Sequence, residues 1–343
     1  MFACNSDVSQ SLEAKAVALG KMNEIVVVAD DMVWESMVGD TFRYYFESPY
    51  PLMPSPETMF DLRHYSGEQI QAEPLRKQLR TYTILVDLND DDSVVTKMAR
   101  KDMGEEKFTR AKKENKPGNS IGKNKWAQGQ MLIYLYANGH DQLAELIRNT
   151  YPAIAKKVHN HDRKQLEAQV YGVPVNRGLT EKIKANYGMD MQIPINYKIA
   201  KEEEKDDFIW LRKDGKKGVM NIVLKRLPYT GKEQFDLNYI KEVKNEFGKS
   251  YVTSDTEGSY LRVHEEKVPI YEYVQDINGM YTKELRGVWE MTDDFMGGPF
   301  VSYMIHNKDK SELLFVDAFV FAPGEAKRNM IQELDFIVKN MKS

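Results

Sequence analysis

The first half of the chain contains short runs of hydrophobic residues, and the stretches between them alternate hydrophobic and polar residues at helical spacing. The run "NEIVVVADD" (23–31) predicts a buried strand. Apolar residues then follow at helical spacing: Trp34, Met37, Val38, Phe42 and Tyr45. Further strands are predicted at "MFDLRHY", "YTILVDL" and "MLIYLYA", with a charged helix over 94–115 and a long helix from Gly139. The first half therefore predicts strands and helices mixed in one unit.

The second half contains more strand-like segments in succession. "FIWLR" and "VMNIVLKRL" flank "KDGKKG", whose Asp-Gly pair is typical of a tight hairpin. The following strands are predicted at "YLRVHEE", "IYEYV", "LRGVWEM", "FVSYMI" and "LLFVDAFVF". A last helix places Met330, Leu334, Ile337 and Met341 on one face. This order predicts an α+β fold with largely antiparallel sheets and helices packed on one face.

Chain length and loop composition predict two domains. At 343 residues the chain is long enough for two domains of about 150 residues each. "YGVPVNRGLT" (171–180) has the glycine and proline content of a linker. We therefore predict a tether over 1–20, an N-terminal α+β domain over 21–175 and a C-terminal α+β domain over 176–343.

Composition excludes several classes of protein. The net charge of −4 gives no general affinity for nucleic acid. No apolar run reaches the length of about 18 residues that would predict a membrane-spanning helix. The single cysteine excludes an internal disulfide and a cysteine-based zinc site.

That cysteine, Cys4, lies in a polar leader that offers no environment to activate a thiol. The sequence before it, "MFAC", resembles the end of a bacterial lipobox, with Phe2 at −2 and the small Ala3 at −1. The charged segment and apolar core of a signal peptide do not precede it. We predict lipid attachment at Cys4, and the alternative is an inert thiol on the terminus.

Three motifs favour ordinary surface roles over cofactor chemistry. "KPGNSIGKN" (116–124) lacks the glycine spacing and the Ser or Thr of a phosphate-binding loop. His159 and His161 are two residues apart on a predicted helix, so they point in different directions and do not share a metal ion. The lysine- and arginine-rich stretch from Lys97 to Lys125 is interpreted as a solvated helix face with local ion pairs. We predict neither a cofactor nor a metal.

The segment "RGVWEMTDDFMGGPF" (286–300) is the most distinctive internal stretch. Trp289 and Met291 are placed on one strand face, and a turn is predicted where the glycines follow positive φ. A candidate binding surface is therefore formed by Trp289, Met291, Met296, Gly297, Gly298 and Pro299. The alternative, which we favour, is a bulged link between two strands.

Asp317 is the carboxylate with the most unusual predicted position. In "LLFVDAFVF" it shares a strand face with Phe315, Phe319 and Phe321. If that face is core, the carboxylate must be paired or stay protonated. A salt bridge to an arginine such as Arg286, or an edge position open to water, would explain it without a functional site.

Several segments together resemble an uncharacterised lipoprotein family of Bacteroidota, a domain-of-unknown-function family. The segments are "GVWEMTDDFMGGPFVSY", "LLFVDAFVFAPGEAKRNMIQELDFI", "NEIVVVADDMVWESMVGD", "PSPETMFDL" and "KNKWAQGQMLIYLYA". The resemblance implies a signal peptide ending at a lipidated cysteine, which maps to Cys4, and an address in the cell envelope. Because Asn5 rather than Asp follows that cysteine, the outer membrane is favoured, with the facing left open.

Two functions remain from the sequence. The favoured one is a non-catalytic envelope lipoprotein that binds another envelope protein or a glycan. The alternative is a hydrolase of an envelope polymer that draws its acid and base from Glu290, Asp293, Asp294 or Asp317.

Overall fold

A computed structural model describes residues 15–266, 268–307 and 311–342. The chain divides into two compact units. The first contains the described residues up to Pro49 together with 58–164, and the second contains 50–57 together with the described residues from Gln165 onward. No helix in the described ranges is long and apolar enough to cross a bilayer. Cys4 lies outside the described residues.

The first unit alternates strands and helices along the chain. Its elements are β1 (Glu24–Val28), α1 (Asp31–Trp34), α2 (Met37–Phe46), β2 (Asp61–Tyr65), α3 (Gly67–Ala72), β3 (Thr81–Asp87), α4 (Val94–Met103), α5 (Glu105–Lys113), β4 (Gly118–Lys123), β5 (Met131–Ala137) and α6 (His140–Tyr171). The helix α6 contains Pro152 in its interior and continues beyond Lys164.

The five strands of this unit form one sheet in the order β2-β1-β3-β5-β4. The first three pairings are parallel, and only β4 runs antiparallel to its neighbour β5. All five residues of β1 are buried because the sheet is covered on both faces. Ile25 and Val27 pack with α2 and α6, whereas Val26 and Val28 pack with α4 and α5.

The second unit contains most of the antiparallel structure. Its elements are α7 (Arg177–Tyr187), β6 (Lys198–Glu203), β7 (Phe208–Asp214), β8 (Val219–Pro228), α8 (Leu237–Tyr251), β9 (Leu261–His264), β10 (Tyr271–Ile277), β11 (Met280–Met291), β12 (Asp294–Asn307), β13 (Glu312–Phe321) and α9 (Arg328–Lys339). The strands follow the order β10-β11-β12-β13-β8-β7-β6, and β9 also pairs with β11.

Helices cover both faces of this second sheet as well. Val301, Tyr303 and Val316 face α7 and α9, while the opposite face packs on α8 through residues such as Phe300 and Phe315. Glu57 attaches residues 50–57 to this unit, because its carboxylate accepts hydrogen bonds from the backbone of Lys327 (2.7 Å) and Arg328 (2.8 Å) at the start of α9.

The predicted α+β class with largely antiparallel sheets is confirmed. Two features of the prediction are corrected. The sheet of the first unit is mainly parallel, and the helices pack on both faces of each sheet rather than on one. The physical reason is that the central strands of both sheets are apolar on both sides, so one helical layer would leave half of that surface in water.

Candidate functional site

The predicted binding segment 286–300 forms the hairpin β11–β12, and most of it is buried. Trp289 is 2% exposed, and its indole nitrogen donates to the carbonyl of Val320 at 3.1 Å. Met291 is also buried in the same core cluster. These two side chains therefore cannot form the surface predicted for them, because β13 and α8 cover that face of the sheet.

The two glycines of this segment lie inside β12 and not in a turn. The hairpin reverses at Thr292 and Asp293, next to a bulge between Glu290 and Met291, which agrees with the favoured interpretation of a bulged link. Neither Gly297 nor Gly298 has a positive φ. A Cβ on Gly298 would lie 1.9 Å from the carbonyl oxygen of Val320. Close backbone packing, and not turn geometry, is therefore what requires glycine there. Met296 is half-buried and Pro299 is buried beside them.

Asp317 is fully buried and paired, but its partner is not Arg286. Its Oδ2 lies 2.6 Å from Nζ of Lys244 on α8, and its Oδ1 accepts from the hydroxyl of Ser302 at 2.6 Å. Lys244 is only 1% exposed, with its ammonium 4.4 Å from the ring centre of Phe300. Burial lowers the pKa of Lys244, and the Asp317 carboxylate opposes that shift. This closed pair holds α8 to the sheet and has no route to a substrate.

The remaining carboxylates considered for catalysis do not converge. Glu290 accepts from Arg262 at 2.9 Å and lies 2.6 Å from Nδ1 of His264 on the neighbouring strand β9. The side chain of Glu290 lies on one face of the sheet, and the side chains of Trp289 and Asp317 lie on the other. Asp293 and Asp294 lie at the hairpin reversal. No two of these four groups form an acid–base pair within the described residues.

An exposed aromatic surface lies instead on β10. Within the described part of the chain, β10 pairs only with β11, and all its residues except Ile277 are at least partly exposed. We call Tyr271, Tyr273 and Val274 of β10, together with Tyr281 of the neighbouring strand β11, the β10 edge surface. Tyr271 and Tyr273 lie on one face of the sheet, and Val274 and Tyr281 lie on the other. Val274 is 61% exposed and Tyr273 is 44% exposed. Tyr271 and Tyr273 lie opposite Arg286 and Glu284 of β11.

A charged network lies beside these tyrosines. Arg286 contacts Glu284 and lies 2.8 Å from Asp335 of α9, and Lys339 lies 3.1 Å from Glu284 and 2.9 Å from Asp335. The hydroxyl of Tyr303 donates to Asp335. Burial alone would raise the pKa of the Asp335 carboxyl, but Arg286 and Lys339 hold it below its usual value. Two acids and two bases thus balance one another and fix β11 to α9.

Several bases in the basic stretch of the first unit form ion pairs. Asp91 lies 2.5 Å from both Arg100 and Lys112, and Lys125 contacts Asp102. His159 packs against the ring of Phe60, with centroids 5.0 Å apart. The described residues contain no cluster of three or more metal-binding side chains. "KPGNSIGKN" contributes the edge strand β4 and not a phosphate loop.

The sequence reasoning missed the β10 edge surface and Lys244. The segment "IYEYV" predicts a strand, but nothing in it shows that the strand ends a sheet. Lys244 has a weak local signal, because it lies one helical turn from Ile240 and from Gly248, both of which are buried. That spacing places an ammonium group on the apolar face of α8.

Comparison with known families divides the chain into two parts. Residues 18–171 match a domain of unknown function (DUF8532), and residues 176–340 match another domain of unknown function (DUF4837). No curated protein matches the chain. The two matches follow one another along the chain and together cover most of it, so each half is similar to a different domain of unknown function.

Proposed function

We propose that this protein is a lipid-anchored protein of the cell envelope with a non-catalytic binding role. Its partner is another envelope protein, which docks by adding a strand to β10. The observation that carries the proposal is the β10 edge surface, where a strand edge that pairs with no other described strand and exposed aromatic side chains occur together.

The chemistry of an exposed strand edge explains this choice. Unpaired backbone N–H and C=O groups at a sheet edge are a template for another strand, and soluble proteins usually protect such edges. Tyrosine adds contact area at low entropic cost, because its side chain has few rotatable bonds. The ion-pair network that joins Glu284 and Arg286 to α9 makes the adjoining strand β11 a rigid support.

The rival hydrolase finds less support in the geometry. An acid and a base must face one substrate across a fixed gap. Asp317 forms a buried ion pair with Lys244. Glu290 contacts Arg262 and His264 on the other face of the sheet.

The anchor and the domain boundaries belong to the same proposal. Lipidation at Cys4 is motivated by the lipobox-like "MFAC", and the outer membrane is favoured by Asn5. The proposed division is a tether over 1–20, a domain over 21–175 and a domain over 176–343. The two family matches, which end at 171 and begin at 176, support that boundary.

Lipid attachment predicts that the native precursor incorporates a metabolic fatty-acid label. Globomycin, which blocks processing of prolipoproteins, is expected to cause accumulation of a longer labelled form. Cys4→Ala should abolish labelling, because the thiol is the acceptor of the lipid. Label retained by Cys4→Ala would contradict the anchor.

Docking on β10 predicts that Val274→Lys removes the partner. The protein is purified from detergent-solubilised membranes and the co-purifying proteins are quantified. A lysine at a strand edge opposes strand addition, so recovery of the partner should fall by about tenfold or more. Val173→Lys, at another exposed valine of the second unit, is the matched control and should leave recovery unchanged.

Two outcomes of that experiment count against a protein partner on β10. Equal recovery with Val274→Lys and with the wild-type protein would place the partner elsewhere. Retention on isolated envelope glycan, with no specific protein recovered, would favour a glycan as the ligand.

A further inference from the structure

A cationic cavity lies in the first unit, whereas the β10 edge surface belongs to the second unit. The cavity measures about 500 Å³, which is within the usual range for small-molecule sites. Its walls come from the segment before β3, the end of β4, the loop before β5 and one face of α6. All of its lining residues belong to the first unit.

The charges that line the cavity have one sign. Arg80, Lys123, Lys157 and Lys164 line it, and no aspartate or glutamate does. Arg80 is balanced by Asp162, with Nη2 and Oδ1 2.5 Å apart. Across the described ranges, none of the three lysines forms an ion pair with a carboxylate. Three uncompensated positive charges therefore remain to attract an anion.

The loop that forms one wall is fixed before any ligand binds. The amide of Gln130 donates to the carbonyls of Lys77 and Leu79, and its oxygen accepts from the backbone of Trp126 and Ala127. Asn124 accepts a hydrogen bond from the backbone of Gly129 at 2.7 Å. A wall built in this way loses little entropy when a ligand binds.

His161 supplies an unused polar atom in the cavity. Its Nε2 is buried and has no hydrogen-bond partner among the described residues. Burial and the nearby Arg80 guanidinium lower the pKa of His161, which favours the neutral ring. In the neutral tautomer that carries its proton on Nδ1, Nε2 is a hydrogen-bond acceptor. It therefore fits a ligand that carries a hydroxyl group near its anionic group.

We propose that this cavity binds a phosphate monoester that carries a neighbouring hydroxyl group, either as a small soluble molecule or as the headgroup of a lipid. Lysine ammonium groups are strong donors to phosphate oxygens, and a phosphate dianion offsets two of the three positive charges. Nε2 of His161 accepts from the hydroxyl.

The position of the first described residues favours the lipid source. Lys15 donates to the carbonyls of Asn124 (2.6 Å) and Lys125 (3.0 Å), and Asn124 lines the cavity. A chain from Cys4 to Lys15 spans at most about 40 Å. A lipid anchor at Cys4 would therefore keep the cavity within about 40 Å of a membrane surface. The preference for a lipid headgroup over a soluble molecule rests on the proposed lipidation, whereas the site itself does not.

Calorimetry and vesicle flotation test the site with the Cys4→Ala protein, so the outcome does not depend on the anchor. The soluble probe is glycerol 3-phosphate, with glycerol as the uncharged control. The membrane probe is phosphatidylcholine vesicles with or without a phosphatidylglycerol phosphate.

Lys157→Gln combined with Lys164→Gln should weaken binding by about tenfold for each lysine. Lys113→Gln combined with Lys156→Gln removes the same charge from exposed positions that do not line the cavity, and should leave binding unchanged.

Each outcome decides the proposal. Binding of glycerol 3-phosphate that the cavity variant weakens supports the site and a soluble source. Flotation only with the phosphorylated lipid, again weakened by the cavity variant, supports the site and a headgroup source. No binding to either probe, or equal weakening by both double variants, overturns the site and leaves the proposal for β10 untouched.

Discussion

Lys244→Ala is expected to lower the free energy of unfolding of the second unit by about 3–5 kcal/mol. Among the described residues, the variant leaves the fully buried Asp317 carboxylate with only the Ser302 hydroxyl as a polar partner. A buried charge without its counter-ion costs more than the ion pair contributes, because the desolvation of the carboxylate is no longer offset.

A double-mutant cycle separates that penalty from the net value of the pair. Lys244→Met combined with Asp317→Leu removes both charges and is expected to be closer to the wild type than either single variant. Unfolding in urea is followed by the fluorescence of Trp210 and Trp289, in a background where Trp34 and Trp126 are phenylalanine. Trp210 and Trp289 pack in the same core cluster, so the signal reports the second unit. A loss below about 1 kcal/mol for Lys244→Ala would show that the pair is open to water.

Gly298→Ala is expected to destabilise the second unit by about 3 kcal/mol, at the upper end of the cost of overpacking. The new methyl group would lie 1.9 Å from the carbonyl oxygen of Val320 and 3.0 Å from the indole nitrogen of Trp289. That carbonyl accepts the hydrogen bond of Trp289, so moving it disturbs both the β12–β13 pairing and the indole.

The same fluorescence measurement checks this prediction against two other glycines. Gly297→Ala should cost less, because its Cβ would meet the nearest atom at 2.8 Å. Gly178→Ala in α7 has no neighbour closer than 4.0 Å and should be neutral or stabilising, since alanine favours a helix. Equal stability of Gly298→Ala and the wild type would contradict the close backbone packing.

The local pattern of the sequence predicts elements better than their arrangement. "NEIVVVADD" predicts a buried strand, and β1 is that strand. The alternation of strands and helices in the first half is itself typical of parallel sheets with helices on both faces. A continuous apolar run, such as the one that forms β1, adds to that signal. The parallel sheet could therefore have been predicted from the sequence.

The candidate surface could not be located in the same way. Trp289 and Met291 are residue types that recognition loops often use. They are buried here because β13 and α8 pack over them, which the local sequence does not show. The burial of Asp317 could be predicted, because three phenylalanines share its strand face. Its partner Lys244 could not be predicted, because it is 73 residues away in the chain. The exposure of β10 likewise depends on strand order, which no single segment encodes.

Crosslinking from the strand edge tests most directly whether β10 binds a protein partner. A photoreactive benzoylphenylalanine replaces Tyr273, and the same residue at Tyr44, an exposed tyrosine of the first unit, is the control. Irradiation of intact cells is expected to give one discrete protein adduct from position 273, and Val274→Lys should remove it. The absence of any adduct from position 273, or the same adduct from both positions, would contradict docking on β10.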